Sequence, residues 1–281
     1  MRNMADHKKI VIYHKNCMDG WSAAWVSWKK FGSKAVYFPA VHQTPFPESV
    51  RGREVYMVDF CYPEEIMMKI KKIAARVTVI DHHISQKEAI KISDERVFDI
   101  KHSGAVLAWQ YFFPGKKTPK LLSYVEDTDI WKFTLPQSKE IHASLDTMKF
   151  DLKTWSKLAS ELETATGRKN HFNKGKAILE FSERVIDNIV ANAELVKFAG
   201  RKAFVVNSPA LVSEIGHVLA TKANGIGIVW VKKGDKLKVS LRSNGKVDVS
   251  KIAVKFGGGG HKAAASFSLP IKKGTLTFPW K

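Results

Sequence analysis

The feature that most constrains the fold is an alternation in the first hundred residues. Short apolar runs rich in β-formers are separated by stretches of helical character. Lys9-Ile-Val-Ile-Tyr-His14 is one such run, and a helical stretch follows from Trp21 to Phe31. Ala35-Val-Tyr-Phe38, Val55-Tyr-Met-Val-Asp59, Arg76-Val-Thr-Val-Ile80 and Arg96-Val-Phe-Asp-Ile100 read as further strands. Pro63 opens a helix to Ala75, with Glu64 and Glu65 in its first turn and Lys69, Lys71 and Lys72 beyond them, an order that suits the helix dipole. Such strand–helix alternation predicts an α/β fold with a parallel sheet.

The pattern changes after Ser103. To about Val196 it is largely helical, ending in a long helix expected over Phe172 to Val196, where Ile178, Phe181, Val185, Ile189 and Leu195 recur at roughly helical spacing. A second, smaller α/β segment begins at Lys202-Ala-Phe-Val-Val-Asn207. Gly227-Ile-Val-Trp-Val231 and Lys236-Leu-Lys-Val-Ser-Leu241, joined by the turn Lys232 to Asp235, read as a hairpin. The expected organisation is a parallel-sheet catalytic domain over residues 1–170, a helical connector over 171–200 and a substrate-binding domain over 201–281. No apolar run reaches the roughly 18 residues of a membrane span. With a polar N-terminus and only two cysteines, Cys17 and Cys61, a reducing cytoplasm is the expected compartment.

Charge narrows the partners. The chain carries 46 basic against 27 acidic residues, a net +19. From Arg201 to Lys281 the balance is 15 to 3. Excess of this kind attracts polyanions through phosphate contacts and counterion release, although a merely solvated basic face is the alternative.

Three expected strands run into metal-ligand chemistry. The first ends at His14 with Asp19 just beyond, the third ends at Asp59, and the fourth leads directly into Asp81-His82-His83. The carboxyl ends of parallel strands share one edge, where ligands bind. Mixed carboxylate and imidazole donors suit Mn²⁺ or a similar divalent ion, and an aspartate shared by two ions is the usual device of two-metal phosphoryl transfer. Taken singly, Asp59 fits a helix N-cap or turn and His14 a hydrogen-bonded histidine. An Asp-His-His run straight after a strand is harder to assign to structure alone.

The sequence resembles the DHH phosphoesterase superfamily, which includes RecJ-type exonucleases, small-oligoribonucleotide exonucleases, cyclic-dinucleotide phosphodiesterases and exopolyphosphatases. The resemblance is carried by His14-Lys-Asn-Cys-Met-Asp-Gly20, Val58-Asp59, Val79-Ile-Asp-His-His83, Val125-Glu-Asp-Thr128 and Phe256-Gly-Gly-Gly-Gly-His-Lys-Ala-Ala-Ala265, in family order along nearly the whole chain. It implies two Mn²⁺ ions, with Mg²⁺ or Co²⁺ as substitutes. His14 and Asp59 would bind the first ion; Asp19, Asp59, His82 and Asp127 would bind the second, with Asp59 bridging. Asp81 would orient a histidine and His83 would lie beside the scissile phosphate. Asp129 would be a further supporting acid or a helix cap.

Cys17 stands where the family has its first aspartate, one residue closer to His14, so it is either a softer ligand or a sign of a weaker first site. The resemblance further implies that Arg242 and Ser243 bind phosphate. Gly258, Gly259, Gly260 and His261 would bind the substrate end away from the metals. Ser266 replaces a glycine of many relatives. By themselves four glycines describe a flexible loop. Their position after an amphipathic helix, Val249 to Phe256, and before the strand-like Ala264-Ala-Ser-Phe-Ser268 argues for an ordered turn. Without the resemblance Arg242 is one cation among fifteen.

The expected function is hydrolysis of short single-stranded RNA or DNA, of the nanoRNA type, to nucleoside monophosphates by a monomer or homodimer. The alternatives are a phosphodiesterase for cyclic dinucleotides or their linear products, and a non-catalytic nucleic-acid-binding module.

Overall fold

The computed structural model describes residues 8–15, 17–41, 44–271 and 277–280. The chain divides into two compact units, Met1–Leu179 and Glu180–Lys281. The fold is mixed α/β, with a parallel sheet in the first unit and a second sheet in the other.

In the first unit β1 (Lys9–His14), β2 (Ala35–Ala40), β3 (Glu54–Val58), β4 (Arg76–Asp81) and β5 (Glu95–Phe98) form a sheet of order β2-β1-β3-β4-β5. All four pairings are parallel. The chain steps outward from β1 to β2, then returns past β1 to β3, so the strand order reverses between β1 and β3. That crevice at the carboxyl edge is the expected place for a ligand.

Alternation along the strands explains why their sequences are apolar almost throughout. Ile10 and Ile12 of β1 enter one core while Val11 enters the other. Helices α1 (Met18–Phe31), α4 (Gly104–Phe112), α5 (Lys120–Asp129) and α7 (Leu152–Glu163) supply the first core, which contains the fully buried Trp25 and Trp155. Helices α2 (Glu64–Ile73) and α3 (Lys87–Ile90) cover the opposite face through Met67, Ile70 and Ile90. Strands buried on both faces need apolar residues at successive positions. Helix α6 (Ser138–Asp146) follows α5, and the long helix α8 (Ala165–Val190) contains the division between the units.

The second unit holds β6 (Glu194–Phe198), β7 (Arg201–Asn207), α9 (Val212–Lys222), β8 (Ile226–Lys233), β9 (Lys236–Ser243), α10 (Val249–Val254), β10 (Gly259–Gly260) and β11 (Ala264–Pro270), with sheet order β10-β11-β9-β8-β7-β6. The expected hairpin is present as β8–β9. The expected long helix is displaced: it starts at Ala165 and stops at Val190. The residues expected to end it instead begin the edge strand β6, antiparallel to β7. The physical reason lies in Glu194-Leu-Val-Lys-Phe198, whose Val196 and Phe198 turn inward while Leu195 stays exposed, a period of two. Among the described residues no helix is long and apolar enough to cross a membrane.

Candidate metal centre

The centre is built at the carboxyl edge of the first sheet. β1 delivers His14, the residue after β3 is Asp59, and β4 ends in Asp81 with His82 and His83 directly following. Asp19 lies in the first turn of α1, just past Cys17. Asn16 of the same motif lies outside the described residues.

Asp59 sits at the middle of this group. His14 Nδ1 is 3.5 Å from Asp59 Oδ2, and His82 Nε2 is 3.2 Å from Oδ1. Apart from these histidine approaches, both carboxylate oxygens of Asp59 are buried with no hydrogen-bond partner among the described residues. Its backbone is also unusual, with φ +53 in the left-handed region. Buried carboxylates normally find donors, and left-handed non-glycine residues gather where function requires them. Gly104 makes this placement possible: a Cβ there would lie 2.5 Å from the Asp59 Cβ. Gly20 does the same for His14, since its Cβ would fall 2.3 Å from the His14 carbonyl oxygen.

Asp19 is fixed by the start of α4, beside Asp59. Its Oδ2 accepts the Gly104 N–H at 2.7 Å and its Oδ1 the Ala105 N–H at 3.0 Å, so the N-terminus of α4 holds the carboxylate. Asp81 has a different task. Its Oδ1 accepts the backbone N–H of His82 (2.7 Å) and of His83 (3.2 Å) and meets His83 Nδ1 at 2.7 Å. That contact favours a proton on Nδ1 and fixes the His83 ring, as carboxylates behind metal-site histidines commonly do.

Electrostatics follow from the crowding. Burial, then Asp59 and Asp129, push the Asp19 carboxyl well above the usual carboxylate range. Burial opposes the charge on Asp59 too, but the surrounding histidines outweigh it and hold that carboxyl well below the range. His82 and His83 resist charging through burial, yet neighbouring carboxylates win. His82 is raised chiefly by Asp59, and His83 is lifted to about 9 by Asp81 first. Burial and then Asp59 raise the Cys17 thiol, which keeps it protonated until something positive arrives beside it.

Asp127 is not brought into the group. Its Oδ1 accepts the backbone N–H of Thr134 (2.9 Å) and its hydroxyl (2.8 Å), and its Oδ2 accepts the Leu135 N–H at 3.1 Å. Asp129, at the last position of α5, occupies that place instead, with Oδ2 3.5 Å from His82 Nε2. On a helix, residues two apart point in different directions, so the Asp-Thr-Asp spelling alone does not say which acid faces the cleft.

Within the first unit, three linked donor sets result among the described residues. His14, Cys17 and Asp59 present ligand atoms within 4.8 Å of one another, as do Asp59, Asp81, His82 and His83, and Asp19, His82 and Asp129. Asp59 belongs to the first two sets and His82 to the last two. Mixed oxygen and imidazole donors around an unsatisfied carboxylate fit Mn²⁺, Mg²⁺ or Co²⁺; the single thiol is the one softer donor.

In the second unit the expected residues are engaged by their own fold. Arg242 Nη2 donates to Ser213 Oγ at 2.7 Å, and its guanidinium lies near Glu214. Ser243 Oγ accepts the N–H groups of Gly245 and Val247, each at 3.2 Å. Gly259 and Gly260 pair with Ser266 and Ala265, and His261 N–H donates to the Ala264 carbonyl at 2.7 Å. The glycine run is thus an ordered turn. At Gly258 a Cβ would fall 2.1 Å from the Ser266 carbonyl oxygen.

Residues 196–275 match the DHHA1 domain. A 31% identical relative, uncharacterized protein R106 of Acanthamoeba polyphaga mimivirus, aligns over 97% of this chain and 70% of its own length. The chain belongs to the DHH phosphoesterase superfamily. Its fold is similar to that of RecJ from Thermus thermophilus in complex with Mn²⁺, at TM-score 0.56 and 15% identity, covering 96% of this chain and 50% of that one. An exopolyphosphatase-related protein from Bacteroides fragilis is similar at TM-score 0.55 and 14% identity, over 96% and 88% of the two chains.

Proposed function

We propose that this DHH protein is a divalent-cation-dependent phosphodiesterase that hydrolyses short oligonucleotides to nucleoside monophosphates. The observation that carries this reading is Asp59, buried with both oxygens unsatisfied among the described residues and shared by two donor sets. Mn²⁺ is the favoured ion, supported by the Mn²⁺ complex of RecJ. His14, Cys17 and Asp59 would hold one ion, and Asp19, Asp59, His82 and Asp129 the other. Bound there, such ions supply Lewis acidity, activating water as a nucleophile and offsetting charge on the phosphate.

The chain's own groups do the rest. Asp81 fixes His83 through Nδ1, so His83 acts through Nε2, and its raised pKa lets it donate a proton or hydrogen bond to a phosphate or leaving oxygen near neutral pH. Asp19 is held in place by the α4 amides. In the C-terminal unit, Arg242 offers planar donors suited to phosphate, and the ordered turn Gly258–His261 offers close backbone approach to a nucleotide. The local excess of basic residues favours a polyanionic substrate.

A labelled pentaribonucleotide incubated with the protein and Mn²⁺ tests the reading. Cleavage to mononucleotides, abolished by EDTA and reduced at least about a thousandfold by Asp59→Ala, is the expected result. Tight binding without turnover overturns it. Two- to ten-mers of RNA and DNA, cyclic dinucleotides and polyphosphate compared under the same conditions identify the preferred substrate.

A further inference from the structure

Immediately after Asp129 the backbone does something costly. Trp131 and Phe133, two bulky aromatic residues, both adopt left-handed conformations, with φ of +58 and +51. Such residues are rarely found there, and the conformation persists only where the surroundings over-determine it. Asp127 does so. Its backbone carbonyl accepts the N–H of Lys132 (2.8 Å) and of Phe133 (3.1 Å), while its carboxylate holds Thr134 and Leu135.

What this loop displays is a pair of rings. Trp131 is 45% exposed, and its ring meets Phe133 edge-to-face at 4.9 Å between centroids. Phe133 carries Lys139 Nζ 5.3 Å from its centroid and borders a cavity of about 260 Å³ that also touches Leu135 and Glu140. A part-exposed tryptophan thus stands on a strained, pinned loop, two residues beyond an acid of the candidate metal centre.

We infer that the Trp131–Phe133 ledge is a nucleobase subsite, on which the base beside the metal-held phosphate stacks. The inference rests on the proposed phosphodiesterase reading. Stacking on aromatic rings accepts any base, and cationic Lys132 and Lys139 in the same segment suit the flanking phosphates. The ledge therefore recognises a nucleotide as such and tells it from a bare polyphosphate chain.

The test compares wild type, Trp131→Asn and Trp131→Phe on a pentaribonucleotide and on pentamers carrying one abasic residue at each position in turn. Asparagine removes the ring yet tolerates the left-handed backbone, and circular dichroism confirms folding. The expected result is a KM raised roughly tenfold by Trp131→Asn, with kcat within about twofold, largely restored by Trp131→Phe. On one abasic pentamer the Trp131→Asn effect vanishes. An unchanged KM, or an equal rise on every pentamer, overturns the subsite. If wild type cleaves nothing under Mn²⁺, the phosphodiesterase reading fails instead, and the ledge is judged by binding. A pentamer bearing 2-aminopurine is then quenched by wild type and not by Trp131→Asn if the subsite exists; equal quenching by both overturns it.

Discussion

The two units of this protein use their chemistry-bearing residues in opposite ways. In the first unit the carboxylates are crowded: beyond its histidine neighbours Asp59 has no hydrogen-bond partner among the described residues, and Asp19 and Asp129 press on the same space. In the second unit the corresponding residues are already engaged by their own fold, Arg242 with Ser213, Ser243 with two amides of the following turn, and the glycines with β11. The contrast separates a cluster whose donors could receive positive charge from a scaffold that displays donors it has already ordered. Substitutions among the crowded acids of the first unit should therefore remove binding at little structural cost, and those at the engaged residues of the second should cost stability first.

A pair of glycines offers the largest test. Gly258→Ala drives a methyl into the Ser266 carbonyl and the Phe267 side chain, and overpacking of this kind costs about 1–3 kcal/mol or more. Its melting temperature should fall while Mn²⁺ affinity, measured by isothermal titration, stays within about twofold of wild type, since the change lies in the other unit. Gly104→Ala instead pushes on the Asp59 Cα and Cβ. It should lose Mn²⁺ affinity by at least about tenfold, a scale seen when the supports of metal ligands are disturbed. Equal effects of both substitutions on Mn²⁺ affinity would break the contrast.

A second test lies within a single helix. Asp129→Asn removes a carboxylate from the crowded group, so Mn²⁺ affinity should fall about ten- to a hundredfold with the melting temperature nearly unchanged. Asp127→Asn should behave the other way round. Its carboxylate receives three hydrogen bonds that pin the strained loop at Trp131 and Phe133, and weakening them should cost about 1–3 kcal/mol of stability. Thermal unfolding and titration of both variants decide it. A loss of ion binding confined to Asp127→Asn would restore that residue as the ligand.

This pair also marks where sequence reasoning stops. His14, Asp59 and Asp81-His82-His83 could be placed at one edge because each follows a short run of β character, and parallel strands bring their carboxyl ends together whatever lies between them. Asp127 and Asp129 share no such guide. They end a helix, and which one turns toward the histidines depends on a left-handed turn that requires strain at Trp131 and Phe133, positions where no glycine or asparagine signals it. The strand β6 was hidden similarly. Glu194 to Phe198 continues an apolar spacing that began in α8, and only pairing with β7 reveals its period of two. The glycine run was legible as an ordered turn from its place between the helical Val249 to Phe256 and the strand-like Ala264 to Ser268, and the resemblance supported that reading.

The smallest predicted effect concerns an acid of the second unit, where carboxylates serve the fold. Asp248 caps α10, its Oδ1 accepting the N–H of Ser250 at 3.1 Å and of Lys251 at 3.4 Å. The Ser250 hydroxyl, at 2.5 Å, contributes most to holding this carboxyl below its ordinary value. A carboxyl lowered in the folded state adds stability that is fully present above its unfolded pKa of about 3.9, and that is lost as pH falls through the folded value. Asp248→Ala should therefore cost about 0.5–1 kcal/mol at pH 7, the lower part of the range for N-cap replacement because the side chain is largely solvated. The gap in melting temperature between wild type and Asp248→Ala should narrow as pH drops below about 4. A gap that stays constant from pH 7 to pH 3 would mean that the cap works through the neutral acid, and that the acids of the two units differ less in their use of charge than the comparison requires.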